Sequence, residues 1–356
     1  MLTKIVSLCL AGLSCVASAR PHRQPPPRPW STFGENVIFQ PDSDHSVLYP
    51  RQVELSDGTL LATASYSGDK IPYFPIFRSA DGGATWSWIS NMTDKVNGLG
   101  MAAQPALAEL PYAVGDFAAG TVLASGNSWG AIARISIYMP VKTKVTHGSS
   151  VFNHTVGVFY SDQRDPQHGQ KLAHQESMDL KSWGSVINDV AYLNYTDRPG
   201  MTVITYVPPL EKWILVHEFP GGDSWSGEGY PVYYRLAESP FDFRFAYGYP
   251  IVVDGVQPGS SPYVVWSPVG GVNGTIVVSD ADHSSVFTNR ANGQPDQWEI
   301  HATPQPAAYS RSLHVFAEHP DHLMILGAGV FGGAGNMPLS LSVVSLTDTL
   351  REPAGN

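Results

Sequence analysis

Short runs of apolar residues alternating with polar ones recur along nearly the whole chain. Runs of roughly four to eight residues, closed off by Gly, Asn, Asp or Pro, are the pattern of half-buried strands. Val37–Gln40, Gln52–Leu55, Thr59–Ala64, Thr121–Ala124, Val156–Tyr160, Trp213–Glu218, Val232–Leu236, Thr275–Ser279 and Leu341–Leu346 all read this way. Asp57-Gly58 and Asn273-Gly274 lie between or beside such runs and read as hairpin turns, because glycine accepts the positive φ that tight hairpins need. The weak helix candidate is Gln104–Leu110, and Pro105 predicts that it is short. The pattern is therefore all-β.

A repeat narrows the architecture. Ser79-Ala80-Asp81-Gly82-Gly83-Ala84-Thr85-Trp86 fits S-x-D-x-G-x-T-W, the Asp-box. In this motif the carboxylate caps a tight turn, glycine permits positive φ and the tryptophan wedges between neighbouring blades. Ser79, Asp81, Gly83 and Trp86 are thus expected to be structural. Degenerate copies run from Ser177 to Trp183 and from Asn289 to Trp298. The tryptophans recur at about two repeats of ~50 residues, a propeller's blade length. A β-propeller is predicted, with six blades expected and five as the alternative. Val37–Gln40 is expected to pair with Leu341–Leu346 and close the ring, because propellers protect their sheet edges.

The chain ends read differently. Lys4, the apolar stretch Ile5–Leu13 and Ala17-Ser18-Ala19 read as a secretory signal peptide over residues 1–19. Residues 20–35, with their proline-rich run, read as a disordered leader, and residues 36–350 as one propeller domain. Both cysteines, Cys9 and Cys15, fall inside the signal, so no disulfide is expected in the mature chain. The sequons at Asn91, Asn153, Asn194 and Asn273 are candidate glycosylation sites and fit a secreted, extracellular protein.

Composition removes several classes of function. The formal charge is −10, with 21 Lys and Arg and no basic cluster, which argues against nucleic acid or another polyanion. No stretch after the signal is long and apolar enough for a membrane helix. No metal motif, no G-x-S-x-G elbow and no cofactor fingerprint is present. Abundant Trp and Tyr suit sugar rings instead.

Carboxylates are the better lead. Glu218 ends the apolar strand Trp213–Glu218, where a charge is costly to bury without a partner. The alternative is a solvated strand end. Tyr309-Ser310-Arg311 is a second candidate, with simple blade-face packing as its alternative. Ser161–Asp165 and Asp197–Gly200 are polar clusters that read either as Arg–Asp loop pairs or as a sugar-binding rim.

Several longer motifs resemble one family. Tyr160-Ser-Asp-Gln-Arg-Asp-Pro-Gln-His-Gly-Gln-Lys-Leu172, Tyr195-Thr-Asp-Arg-Pro-Gly-Met201, Ser260-Ser-Pro-Tyr-Val-Val-Trp-Ser267, Ala308-Tyr-Ser-Arg-Ser-Leu313 and Val47-Leu-Tyr-Pro-Arg51 are similar to the fungal exo-arabinanases of glycoside hydrolase family 93. The resemblance implies a six-bladed, sialidase-like propeller. Such a protein releases arabinobiose from the ends of α-1,5-L-arabinan with retention of configuration. Arabinan or a related pectic polysaccharide is the expected partner, no cofactor is implied, and a monomer is expected. The resemblance implies Glu218 as a catalytic glutamate, read here as the nucleophile, and Tyr309 as the tyrosine that tunes it. Arg51, Asp165, Asp197, Arg198 and Arg311 become candidate substrate-binding residues by motif context. The chain departs from the family where the second catalytic glutamate is expected: Phe117 to Ser161 contains no Asp or Glu. That leaves open a catalytically impaired propeller that binds wall glycan. A sialidase is a further alternative, with Arg51, Arg198 and Arg311 as its arginines.

Overall fold

A computed structural model describes residues 32–351, apart from 43–44, 68–70, 95–98, 129–154, 165–168, 225–226, 228 and 334. Asp165 and Asn153, the signal peptide and most of the leader lie outside the described residues.

The chain forms a β-propeller of antiparallel sheets. Strand β1 (Phe33–Phe39) is followed by β2 (Ser46–Glu54), β3 (Leu60–Ser67), β4 (Phe74–Ser79) and β5 (Ser87–Met92), and β2 to β5 form one sheet in chain order. Next come a hairpin of β6 (Met101–Glu109) and β7 (Val122–Ser128) and a sheet of β8 (Val156–Asp162), β9 (Lys171–Ser177) and β10 (Ile187–Val190). Two further sheets follow, one of β11 (Gly200–Val207), β12 (Lys212–Glu218), β13 (Val232–Ala237) and β14 (Tyr249–Pro250), the other of β15 (Tyr263–Ser267), β16 (Thr275–Ser279), β17 (Ser285–Asn289) and β18 (Trp298–Ala302). The last sheet joins β19 (Ser312–Val315), β20 (His322–Gly327) and β21 (Leu339–Ser345) to β1, so the first strand closes the last blade as expected.

The expected blade count is corrected. Five sheets have the three or four strands of a blade, whereas β6–β7 is a two-stranded hairpin among the described residues. The chain after β7 passes into residues 129–154, outside the description. The Asp-box locates a second gap. It joins the two outermost strands, β4–β5 and β17–β18, in the four-stranded sheets and β9–β10 in the three-stranded one. Strands β8 and β9 therefore stand where the second and third strands stand elsewhere, and the described residues place no strand inside β8. Two other expectations change. Gln104–Leu110 is mostly strand, in β6, with Pro105 at a bulge where no ladder hydrogen bond is lost. The propeller begins at Phe33, not at residue 36, because Phe33 packs against the core of the closing blade.

The Asp-box turns work as their residue types dictate. Ser79 Oγ donates to Asp81 Oδ1 (2.8 Å) and accepts from Gly83 N (3.0 Å). Asp81 also accepts from the Thr85 backbone N–H (2.9 Å) and hydroxyl (2.6 Å). Trp86 closes the turn onto the Gly83 carbonyl at 2.9 Å and packs against the core shared with β21. In the second copy Leu180 holds φ 60° where the first has glycine, and Asp179 accepts from Lys181 N and Ser182 N, which lowers its carboxyl to about 2. The third replaces serine by asparagine: Asn289 Oδ1 accepts from Ala291 N and Gly293 N, the same two positions that Ser79 Oγ serves in the first.

Asp81→Ala removes three charge-assisted bonds at a half-buried turn. It is expected to destabilise the fold by about 1–2 kcal/mol, read as a lower denaturation midpoint in urea at unchanged m-value.

Candidate active site

The inner strands share an unusual backbone feature. Tyr49 (φ 53°), Gln104 (60°), Met201 (50°), Ser260 (60°), Ser261 (38°) and Ser310 (62°) are left-handed without being glycine, and each lies within the first four residues of an innermost strand or just before it. Register breaks fall at Leu48/Arg51 in β2, Ala103/Ala106 in β6 and Gly200/Val203 in β11. Such bulges re-aim side chains, and each strained residue costs on the order of 1–3 kcal/mol, sustained only where the surroundings over-determine it. Tyr49, Ala103, Met201 and Tyr309 pack into one cluster, so these strand starts converge on the axis.

Glu218 lies among them. It ends β12 opposite Gly200 and is 8 % exposed. A Cβ at Gly200 would stand 3.1 Å from Glu218 Oε1 and 2.6 Å from Gln170 Nε2, so glycine is what makes room for the carboxylate. Glu218 Oε2 accepts from the Ser261 backbone N–H (2.9 Å) and the Ser260 hydroxyl (3.1 Å). Burial is the largest influence and pushes the carboxyl above its ordinary range. The two serine donors pull it back, and the Asp282 charge adds to the upward push. His217 points to the other face, fully enclosed. Burial drops its imidazole to about 3, so it stays neutral, with Nδ1 donating to the Glu218 carbonyl at 3.1 Å.

Tyr309 lies near enough to this carboxylate to feel its charge. Its ring meets Tyr49 edge-on at 5.1 Å, and both hydroxyls feel the Glu218 charge. Burial pushes both phenols up, Tyr309 far above its usual value, so both stay protonated. Residue reading missed the direct donors to Glu218, which are Ser260 and Ser261. Both sit in the Ser260–Ser267 motif, but a serine pair carries no signal of this role before the fold brings it to a carboxylate.

The substrate-binding candidates separate. Arg198 is exposed and Asp197 half-buried, in a loop packed on the Pro220-Gly221 turn that follows Glu218; Arg198 N donates to Pro220 O at 3.1 Å. Arg311 is corrected. It is wholly enclosed, its guanidinium donating to the carbonyls of Asp280, Gln305 and Ser285 and lying 3.6 Å from the Asp280 carboxylate. Arg51 is also buried, donating to Pro50 O, Ser310 O and Ser310 Oγ and covering the Tyr263 ring at 5.2 Å. Enclosure makes these two blade ties rather than a sialidase-type triad with Arg198.

Asp162 ends β8 as Glu218 ends β12, but its chemistry is opposite. Burial would raise its carboxyl; two hydrogen bonds from the Arg164 guanidinium, at 2.8 and 3.0 Å, outweigh that and hold it below the ordinary range. Exposed aromatics edge the axial site: Tyr230, whose carbonyl accepts from Ser260 N, and Phe331, whose ring lies 5.0 Å from Tyr309. Flat rings of this kind suit sugar faces. His319, Asp321 and His322 gather at the β19–β20 turn, the other end of the blade. Of the sequons, Asn91 and Asn194 are exposed, while Asn273 is half-buried with its amide on the Arg290 carbonyl.

A buried, donor-held carboxylate on a propeller axis, under an aromatic rim, is an arrangement suited to breaking glycosidic bonds. No family model matches the chain, and no curated protein does. Solved structures do. The chain is 40 % identical to an α-L-arabinofuranosidase of glycoside hydrolase family 93 from Fusarium graminearum, known with arabinobiose and with an iminosugar inhibitor, over 90 % of this chain and 99 % of that one (TM-score 0.82). It is 37 % identical to an α-L-arabinanase from Penicillium chrysogenum complexed with arabinobiose, with the same coverage and a TM-score of 0.80. The chain belongs to glycoside hydrolase family 93.

Glu218→Gln tests the cost of the buried charge. A carboxyl raised on folding adds stability when protonated and loses it as pH rises through the folded value. The variant is expected to melt above the parent at neutral pH, with the difference vanishing in acid, in scanning calorimetry across pH.

Proposed function

We propose that this chain hydrolyses α-1,5-linked L-arabinan from its ends, releases arabinobiose and retains anomeric configuration. The observation that carries the reading is Glu218, buried on the axis with two donors on one oxygen, in a chain similar over nearly its whole length to proteins known with arabinobiose. Glu218 attacks the anomeric carbon as nucleophile while the bond to the leaving oxygen breaks and that oxygen takes a proton from solvent; water then attacks the same carbon, gives its proton to solvent and frees Glu218 as carboxylate. Ser260 Oγ and Ser261 N hold the attacking carboxylate's other oxygen. Tyr49 and Tyr309, both protonated, offer hydroxyls on the same side. Asp197 and Arg198 border the entrance. The signal-like N-terminus supports a secreted protein, and exposure favours glycans at Asn91 and Asn194.

Retaining hydrolysis uses a second carboxyl group roughly 5–5.5 Å from the first. The carboxylate-free stretch Phe117–Ser161 supports a second reading, a wall-glycan binder with weak turnover. General acid help is worth ~10²–10⁴-fold and matters least for good leaving groups. The hydrolase reading therefore expects arabinobiose as the product from linear arabinan, with aryl α-L-arabinobiosides of good leaving groups cleaved disproportionately fast. Chromatographic product analysis that finds tight binding of arabinan oligosaccharides and no release from either substrate would establish the binder instead.

Asp282 bears on the same chemistry. It is exposed on the β16–β17 loop, and its negative charge raises Glu218. Removing it in Asp282→Asn lowers the Glu218 value, so the acid limb of the kcat/KM profile is expected to move to lower pH. Added salt should move the parent's limb in the same direction by screening the pair.

A further inference from the structure

We infer that Asp280 is the positioning residue of this site: its carboxylate holds the Gly259–Ser261 turn in the strained shape that presents two donors to Glu218. The inference rests on the proposed role of Glu218. Asp280 follows β16, is completely enclosed, and binds the backbone N–H of Gly259, the residue before the serine pair that donates to Glu218.

The turn needs holding. Ser260 and Ser261 are consecutive non-glycine residues with positive φ, a conformation that relaxes unless its surroundings forbid it. The restraints come from two sides. Tyr230 O accepts from Ser260 N at 2.8 Å on one side. On the other, Asp280 Oδ2 accepts from Gly259 N at 2.8 Å, and the next residue, Ala281, donates its N–H to the carbonyls of Gly259 (3.1 Å) and Ser260 (3.2 Å).

The chemistry of position 280 calls for a carboxylate. Oδ2 takes a second donor, His283 Nδ1, at 2.6 Å, while Oδ1 faces His283 N at 3.4 Å and the Arg311 guanidinium at 3.6 Å. Donors thus surround both oxygens. An ionised carboxylate accepts at both, whereas an asparagine amide would turn an N–H toward either the arginine or the Gly259–His283 pair. Arg311 supplies the compensating charge and is anchored on three backbone carbonyls, that of Asp280 itself and those of Gln305 and Ser285. This gives Arg311 a role the motif resemblance did not imply: it is the counter-ion of the positioning carboxylate.

Asp280→Asn preserves shape and removes acceptance at one oxygen. If the turn relaxes, Glu218 loses donors that favour its charged form. The groups facing Glu218 from other elements are Tyr49 of β2, Tyr309 ahead of β19 and Asp282 of the β16–β17 loop. None of them is altered. The titration of Glu218 followed by carboxyl ¹³C NMR is expected to move to higher pH in Asp280→Asn. The acid limb of kcat/KM should follow, with kcat lower by on the order of 10–100-fold and KM little changed. Ser260→Ala should move the titration the same way, and the double variant should fall short of the sum. A folded Asp280→Asn protein with unmoved Glu218 titration overturns the inference. If that variant does not fold, His283→Ala, which removes one donor at the partly exposed edge, is read by the same titration, and an unmoved value there overturns it equally. Lack of arabinan turnover by the parent would instead sink the proposed function, and the NMR titration would still decide the role of Asp280.

Discussion

Everything at the axis depends on the pairing of β1 with β21. The N-terminal strand supplies the fourth strand of the last blade, and Asn36 reaches from it to the Gly83 and Ala84 carbonyls of the first blade's Asp-box turn. Arg51 then ties β2 to Ser310, 259 residues away in the chain. The innermost strands begin at the axial site and β12 ends there, so the site is assembled from strand termini on different blades. Tyr49, Glu218, Ser260, Ser261 and Tyr309 come together only when the ring is closed. An open ring would leave five ordinary sheets and no site.

Within that frame, three of the buried carboxylates are treated in three different ways. Asp162 is neutralised by a bidentate arginine and held ionised. Asp280 is enclosed, surrounded by donors and balanced by Arg311. Glu218 receives two neutral donors on one oxygen, and among the described residues no arginine or lysine forms an ion pair with it. A carboxylate that is buried yet not ion-paired is raised and remains reactive toward a developing positive centre. The same contrast explains why glycine stands at position 200 and why two serines accept positive φ: backbone compromises gather where one carboxylate must be close-packed but not neutralised.

The chain's own pattern determined a good deal. Strand-length alternation, the turn dipeptides and the Asp-box at Ser79–Trp86 made a propeller legible, because these depend on local backbone preference and local capping. The closure of the ring followed from the need to protect sheet edges. Glu218 was legible because a charge at the end of Trp213–Glu218 has to be explained by something. The number of complete blades was not legible: the Asp-box marks outer hairpins and says nothing of how many strands stand inside them.

Tertiary structure alone decided which residues meet. Arginine in a motif looks the same whether it faces solvent or a buried carbonyl, so Arg311 read as a rim residue until the fold enclosed it against Asp280. Ser260 and Ser261 became donors to Glu218, and Asp280 their support, through contacts 42, 43 and 21 residues apart in sequence. The sequence by itself therefore determined the strands, their turns and the carboxylate that must be accommodated. Long-range packing determined its partners, because hydrogen-bond geometry between separate strands is set by the closure and register of the sheets and not by any local preference of the residues that form it.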